Sequence, residues 1–177
     1  MTSINLRTVK LRSGEQFRDV LAVELEPLEL GGQRYLPAPE CPEAVLTISR
    51  VSSGLLFELA LETRLFGPCM RCLEDAAVTV SLDVREYQGT SPGEPEELTT
   101  PYFADDRLDL SAWARDAVAL ALPDQILCKA ECAGLCATCG ANLNREPHEH
   151  PPEDVDLRWA KLGSLRVAEN AEKSPKT

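Results

Sequence analysis

The spacing of the cysteines constrains this chain more than any other feature of its sequence. Six of the seven fall into two groups, Cys69-x2-Cys72 and the run Cys128-x3-Cys132-x3-Cys136-x2-Cys139. The only two histidines, His148 and His150, follow that run closely. A C-x2-C on a tight turn lets two thiolates converge on one ion, and the amides of the same turn point at the sulfurs and stabilise their charge. Gly140, directly after Cys139, suits such a knuckle because a residue without Cβ tolerates the positive φ found there. Structural zinc takes four donors. Cys69, Cys72, Cys128, Cys132, Cys136, Cys139, His148 and His150 are therefore candidate ligands for one or two structural zinc ions. An odd cysteine count, with no charged-then-apolar leader at Met1–Arg7, argues against a disulfide framework and leads to the expectation of a cytoplasmic protein.

How the donors divide is open at this level. One division joins Cys69 and Cys72 with Cys128 and Cys132, and joins Cys136 and Cys139 with His148 and His150. A ribbon-like rival joins Cys69 and Cys72 with Cys136 and Cys139. A third places one local site in the C-terminal run alone. An H-x-H pair on an extended segment points its rings to opposite sides, so both histidines reach one ion only if the chain bends there. Cys41 stands apart and is read as a small buried apolar residue.

Hydrophobic alternation fixes the fold class. Leu55, Phe57, Leu59, Leu61 and Leu65 alternate with Glu58, Glu62 and Arg64, and Val78, Val80, Leu82 and Val84 with Thr79, Ser81, Asp83 and Arg85. Leu21, Val23 and Leu25 repeat the pattern; Ala44, Leu46 and Ile48, and Ile4 with Leu6, match more weakly. Strands with one wet face favour an antiparallel sheet, here expected to be curved or partly closed. The first C-x2-C falls between two such runs, at the tip of a hairpin. A helix is expected from Leu108 to Pro123, capped by Asp109 or Ser111, with Leu110, Ala114, Ala117, Val118 and Ala121 on its apolar face. Proline cannot continue the helical ladder, so Pro123 ends it. A second short helix is expected over Leu157–Arg166, with Trp159 and Leu162 on one side. The reading is α+β: a curved antiparallel sheet with a C-terminal helical segment and a zinc-knuckle region. Residues 1–88 form the β-rich region, 89–107 an acidic Pro/Gly loop, 108–166 the helix and Cys/His segment packing on the sheet, and 167–177 a disordered tail.

Charge bears on partners. The formal net charge is −11, and neither half of the chain is net basic, which argues against gripping nucleic acid through a broad positive field. Arg158, Lys161 and Arg166 beside Trp159 and Leu162 are a local exception, read first as ordinary solvated cations on a packed helix. No apolar run approaches the roughly 18 residues that span a bilayer, and no nucleophile elbow, P-loop or dinucleotide fingerprint is present. A filled four-donor zinc shell leaves no open position for catalysis, so the expectation is a protein that is not an enzyme.

Several blocks carry a resemblance. Gly67-Pro68-Cys69-Met70-Arg71-Cys72-Leu73 between two strands, the helix ending Ala121-Leu122-Pro123, the run Gly134-Leu135-Cys136-x2-Cys139-Gly140-Ala141-Asn142-Leu143-Asn144, and Asp156-Leu157-Arg158-Trp159-Ala160-Lys161-Leu162 together resemble the YceD family of large ribosomal RNA subunit accumulation proteins. The blocks run from about residue 44 to 166. Two departures from the family pattern matter. Leu157 stands where Pro is common, and His148 and His150 stand where many relatives carry a C-x-C. Neutral His replaces Cys readily as a zinc ligand, so the second departure suits the two-site count. The resemblance implies a cytoplasmic ribosome-biogenesis factor for large-subunit ribosomal RNA. Its expected partner is a large-subunit ribosomal protein or a pre-ribosomal particle, with direct ribosomal RNA contact weak. Two other classes fit the residues alone: a zinc-stabilised interaction module of another machine, and a thiol oxidoreductase using C-x2-C.

Overall fold

The computed structural model describes residues 1–90 and 98–151. The expected second helix at Leu157–Arg166 and the tail at 167–177 lie outside the described residues.

Two long strands form the spine. β6 (Gly54–Pro68) and β7 (Asp75–Gly89) pair antiparallel along their whole length, from Gly54 opposite Gly89 to Pro68 opposite Asp75. The other edge of β6 is shared. β5 (Glu43–Arg50) takes its first part, with Ala44 opposite Leu61. β4 (Gln33–Ala38) takes its last part, with Leu36 opposite Phe66. β2 (Gln16–Ala22) lies beyond β5 and β3 (Leu28–Leu30) beyond β4, which completes a six-stranded antiparallel sheet. The side chains predicted to face inward do so: Leu46, Ile48, Phe57, Leu59 and Leu65 are buried, whereas Glu62 and Arg64 are exposed. Because strand side chains alternate in direction, this one register fixes every neighbour on the inner face.

A smaller sheet and one helix cover that face. β1 (Ser3–Asn5) pairs with β9 (Arg107–Asp109), which pairs with β8 (Phe103–Ala104). β8 and the start of β9 thus lie within the stretch read from composition as acidic loop. α1 (Leu110–Ala121) follows directly. Asp109 caps it, its carboxylate accepting a hydrogen bond from the Ala112 N–H. Ser111 serves instead to tie down the chain start, accepting from the Thr2 N–H at 2.8 Å. Leu110, Trp113, Ala114, Ala117 and Val118 are buried, and Ala121 is exposed. Trp113 stacks near Tyr102 and Phe103 meets Phe57, with ring centroids 6.3 and 5.9 Å apart. Each such side chain, when fully buried, contributes about 1.5–3 kcal/mol. The described fold is α+β, with antiparallel sheets and one α-helix. No helix among the described residues is long and apolar enough to cross a membrane.

Cys41 corrects one expectation. Expected to be buried, it is exposed, because it sits in the turn between β4 and β5 rather than on a strand.

Candidate metal centres

The β6–β7 hairpin closes on a tight loop that holds the first cysteine pair. The Cys69 N–H donates to the Glu74 carbonyl at 2.7 Å, and the Leu73 N–H donates to the Cys69 carbonyl at 2.9 Å. Leu73 adopts φ +61° and is 57% exposed. An aliphatic side chain in the left-handed region is uncommon.

The chain leaving α1 wraps around this tip. The Met70 N–H donates to the carbonyl of buried Ile126, and the Leu135 N–H donates to the Arg71 carbonyl. The Arg71 guanidinium donates to Gln125 Oε1 and to the Cys132 carbonyl, at 3.2 and 3.1 Å. These contacts deliver Cys128 and Cys132 to Cys69 and Cys72. The Sγ atoms of Cys69 and Cys132 lie 3.7 Å apart, and those of Cys72 and Cys128 3.6 Å apart. All four sulfurs fall within 4.8 Å of one another. Zinc bound tetrahedrally at about 2.3 Å per sulfur would set them about 3.8 Å apart. The group has the dimensions of a four-thiolate site.

Electrostatics point the same way. Burial pushes the Cys69 thiol up, but amides of Cys72, Arg71 and Cys128 donate to its sulfur and bring it down to about 6. Cys132 is lowered, mainly because the Asn144 side-chain amide donates to it. Cys128 is instead pushed up to about 12 by desolvation and by the thiols of Cys72, Cys132 and Cys69 around it. Crowded sulfurs cannot all carry negative charge together unless a cation sits between them.

A second group follows within residues 136–150. The Cys136 N–H donates to the Ala141 carbonyl and the Gly140 N–H to the Cys136 carbonyl, with Gly140 at φ +74°. The amides of Cys139 and Thr138 stabilise the Cys136 thiolate and bring that thiol down to about 6. His148 Nδ1 lies 2.7 Å from the Glu146 carbonyl, which accepts its proton, and Nε2 lies 3.2 Å from Cys139 Sγ. That carbonyl fixes the tautomer and leaves Nε2 free to ligate. The bend that the H-x-H pair needed is present: the rings of His148 and His150 meet edge to face, centroids 4.9 Å apart. Ligand atoms of Cys136, Cys139, His148 and His150 lie within 4.8 Å of one another.

All eight donors named from the sequence therefore gather into two groups of four that could each hold a metal ion, with Cys69 and Cys72 beside Cys128 and Cys132. The ribbon-like division is not the one adopted. Cys41 belongs to neither group. Residues outside the eight donors lock the groups together. Asn144 donates to Cys132 Sγ and to Asn142 Oδ1, and its own Oδ1 accepts from the Ala133 N–H. Arg145 pairs with Glu74 at the hairpin tip, 2.5 Å away. The motif Asn142-Leu143-Asn144 was the available signal, since short amides beside cysteines serve as local hydrogen-bond hubs.

The family model for the Large ribosomal RNA subunit accumulation protein YceD matches residues 57–166. The chain belongs to the YceD family. That match runs from β6 through both cysteine groups. Among curated proteins, an uncharacterized protein of Mycobacterium tuberculosis is 36% identical over 122 residues, which is 66% of this chain and 58% of that protein. An uncharacterized protein of Mycobacterium leprae is 32% identical over 125 residues, 68% of this chain and 57% of the relative. This YceD chain thus spans under three-fifths of the length of those relatives. The chloroplastic Large ribosomal RNA subunit accumulation protein YCED homolog 1 of Arabidopsis thaliana is 37% identical over 59 residues, 33% of this chain and 18% of the plant protein. No solved structure matches the YceD chain.

Proposed function

We propose that this chain is a non-catalytic cytoplasmic factor for accumulation and maturation of large-subunit ribosomal RNA, and that its two donor groups each hold a structural zinc ion. The family match over residues 57–166 supports the large-subunit role in that reading. The gathering of two full sets of four soft donors supports the second. Thiolate and thiolate–imidazole shells favour zinc over harder cations, and a filled shell of four leaves no position for substrate. The zinc would act as a staple. One ion clamps the tip of the β6–β7 hairpin to the segment after α1, and the other closes residues 136–150, which have little apolar surface to bury on their own. Structural zinc is worth about 10–16 kcal/mol in apparent binding energy at neutral pH.

The chain acts through protein contacts. A net charge of −11 opposes tight binding to phosphate but suits a basic ribosomal protein. Depletion followed by sucrose-gradient profiles tests the role: large-subunit particles fall, and normal levels would overturn it. Co-purification with large-subunit proteins survives RNase and is lost at high salt. Tight binding to naked ribosomal RNA at physiological salt would contradict the protein-contact mechanism.

A further inference from the structure

Away from the metal centres, a groove of about 510 Å³ opens between residues 24–27 and the β4–β6 pairing. Its apolar lining includes Pro27, Leu36 and Phe66, and its rim carries Glu24, Glu26 and Glu40. Leu36 and Phe66 are direct cross-strand partners on the outer face. They remain 51% and 41% exposed, although burying side chains of this kind is favourable. The cations nearby are engaged. Arg64 lies over the Phe66 ring, 4.8 Å from its centroid, and Arg115 is paired to Asp116. The Met1 amino group pairs with Glu24. Among the described residues, Glu26 and Glu40 form no ion pair.

An apolar floor inside an acidic rim selects for one kind of occupant. Nucleic acid is repelled by the rim. A second copy of this chain would bring the same acids against it. We infer that the groove docks a basic protein segment, with an aliphatic or aromatic side chain seated on Leu36 and Phe66 and flanking Lys or Arg side chains against Glu26 and Glu40. The inference deepens the proposed assembly role and rests on it for the source of the segment, a basic protein of the large subunit.

The test uses the full chain and a fluorescein-labelled synthetic peptide of Lys, Arg and Leu around a single Phe, with binding read by anisotropy. The Glu26→Lys/Glu40→Lys variant and the Leu36→Ser/Phe66→Ser variant should each weaken binding about tenfold. Asp19→Lys/Asp83→Lys makes the same net charge change elsewhere on the sheet and should leave binding within about twofold. Equal losses in both charge variants would show a diffuse acidic field and overturn the inference. So would a dimer in sedimentation that the Leu36→Ser/Phe66→Ser variant dissolves. Photo-crosslinking from benzoylphenylalanine at position 36 should capture a basic protein among those salt-extracted from purified large subunits; crosslinks only to RNA or to a second copy would overturn it. The two readings fail separately. If a depleted strain has impaired large-subunit RNA that the groove variants fully restore, the groove is wrong and the assembly role stands. If depletion leaves that RNA normal while groove-dependent peptide binding persists, the assembly role falls and the ribosomal source of the segment falls with it.

Discussion

The side-chain amide of Asn144 donates a hydrogen bond to Cys132 Sγ at 3.4 Å, so a residue within the second donor group's segment stabilises a thiolate of the first group. The same amide group holds Asn142 and the Ala133 N–H, which fixes the loop joining the two groups. Outer hydrogen bonds of this kind are worth about 10–100-fold in metal affinity. Asn144→Ala should weaken zinc retention in the four-cysteine group by that range, measured by competition with a chelating dye. Asn144→Asp should be worse, because a carboxylate replaces a donor beside a thiolate. Equal retention in wild type and both variants would show that the contact is incidental.

In protein stripped of metal, Cys136 should behave as an acidic thiol. The amides of Cys139 and Thr138 bring it from an ordinary 9.0 to about 6. The sign is that of a lowered group: the thiolate's favourable contribution is complete above about pH 9 and is lost as pH falls through about 6. Alkylation of Cys136, followed by mass spectrometry across pH 5 to 9, should reach half its maximum near pH 6 in the stripped protein. Zinc should protect the same residue. A midpoint near 9 would mean that the knuckle amides do not hold the sulfur without an ion.

Much of this was legible in advance because the relevant signals are local. Alternation over Leu55–Leu65 and Val78–Val84 is long enough to fix a strand, its face and the hairpin between. The grouping of the candidate donors was legible because cysteine spacing reports a turn directly. The β3–β4 hairpin was not read, since its strands are short and Pro37 interrupts the second. Its signal was the pair Gly31-Gly32, which adopts φ +56° and +76°, the geometry of a two-residue hairpin turn. β1 against β9 was also out of reach. Three residues pair with three others over a hundred positions away, and no local pattern encodes that. Cys41 was misread because composition alone makes cysteine look buried.

Gly67 links the core to the first cysteine group. A Cβ at this position would run into the Tyr35 ring, which is fully buried and whose hydroxyl donates to the Pro68 carbonyl at 2.9 Å, one residue before Cys69. The backbone carbonyl of Arg34 lies close as well, so neither neighbour gives way cheaply. Gly67→Ala should cost about 1–3 kcal/mol in urea unfolding, and Tyr35→Phe about 1 kcal/mol. A neutral Gly67→Ala would mean that the ring shifts freely.

Leu73 is the opposite case. At φ +61° a leucine is held at a cost of about 1–2 kcal/mol, and its side chain is mostly exposed. Glycine removes the strain but frees the unfolded chain by about 0.5–1 kcal/mol. Leu73→Gly should therefore leave stability unchanged or raise it by up to about 1 kcal/mol. A clear loss of stability would show that the side chain packs in solution.

The two donor groups should separate under substitution, because they are built from different parts of the chain. Cys69 and Cys72 come from the β6–β7 hairpin, whereas Cys136, Cys139, His148 and His150 all lie within residues 136–150. Wild-type protein purified without chelator should carry about two zinc ions per chain. Cys69→Ser/Cys72→Ser should carry about one, and its melting temperature should fall sharply, since the lost ion joins the hairpin tip to the segment after α1. His148→Ala/His150→Ala should also carry about one but melt close to wild type, because that group sits at the surface and closes only a local loop. The asymmetry is what tests the staple: both variants lose one ion, and only the one that unclasps the hairpin should lose much stability. Loss of both ions from the Cys69→Ser/Cys72→Ser variant would mean that the groups form one coupled unit. The contacts of Asn144 would then be the route by which they communicate.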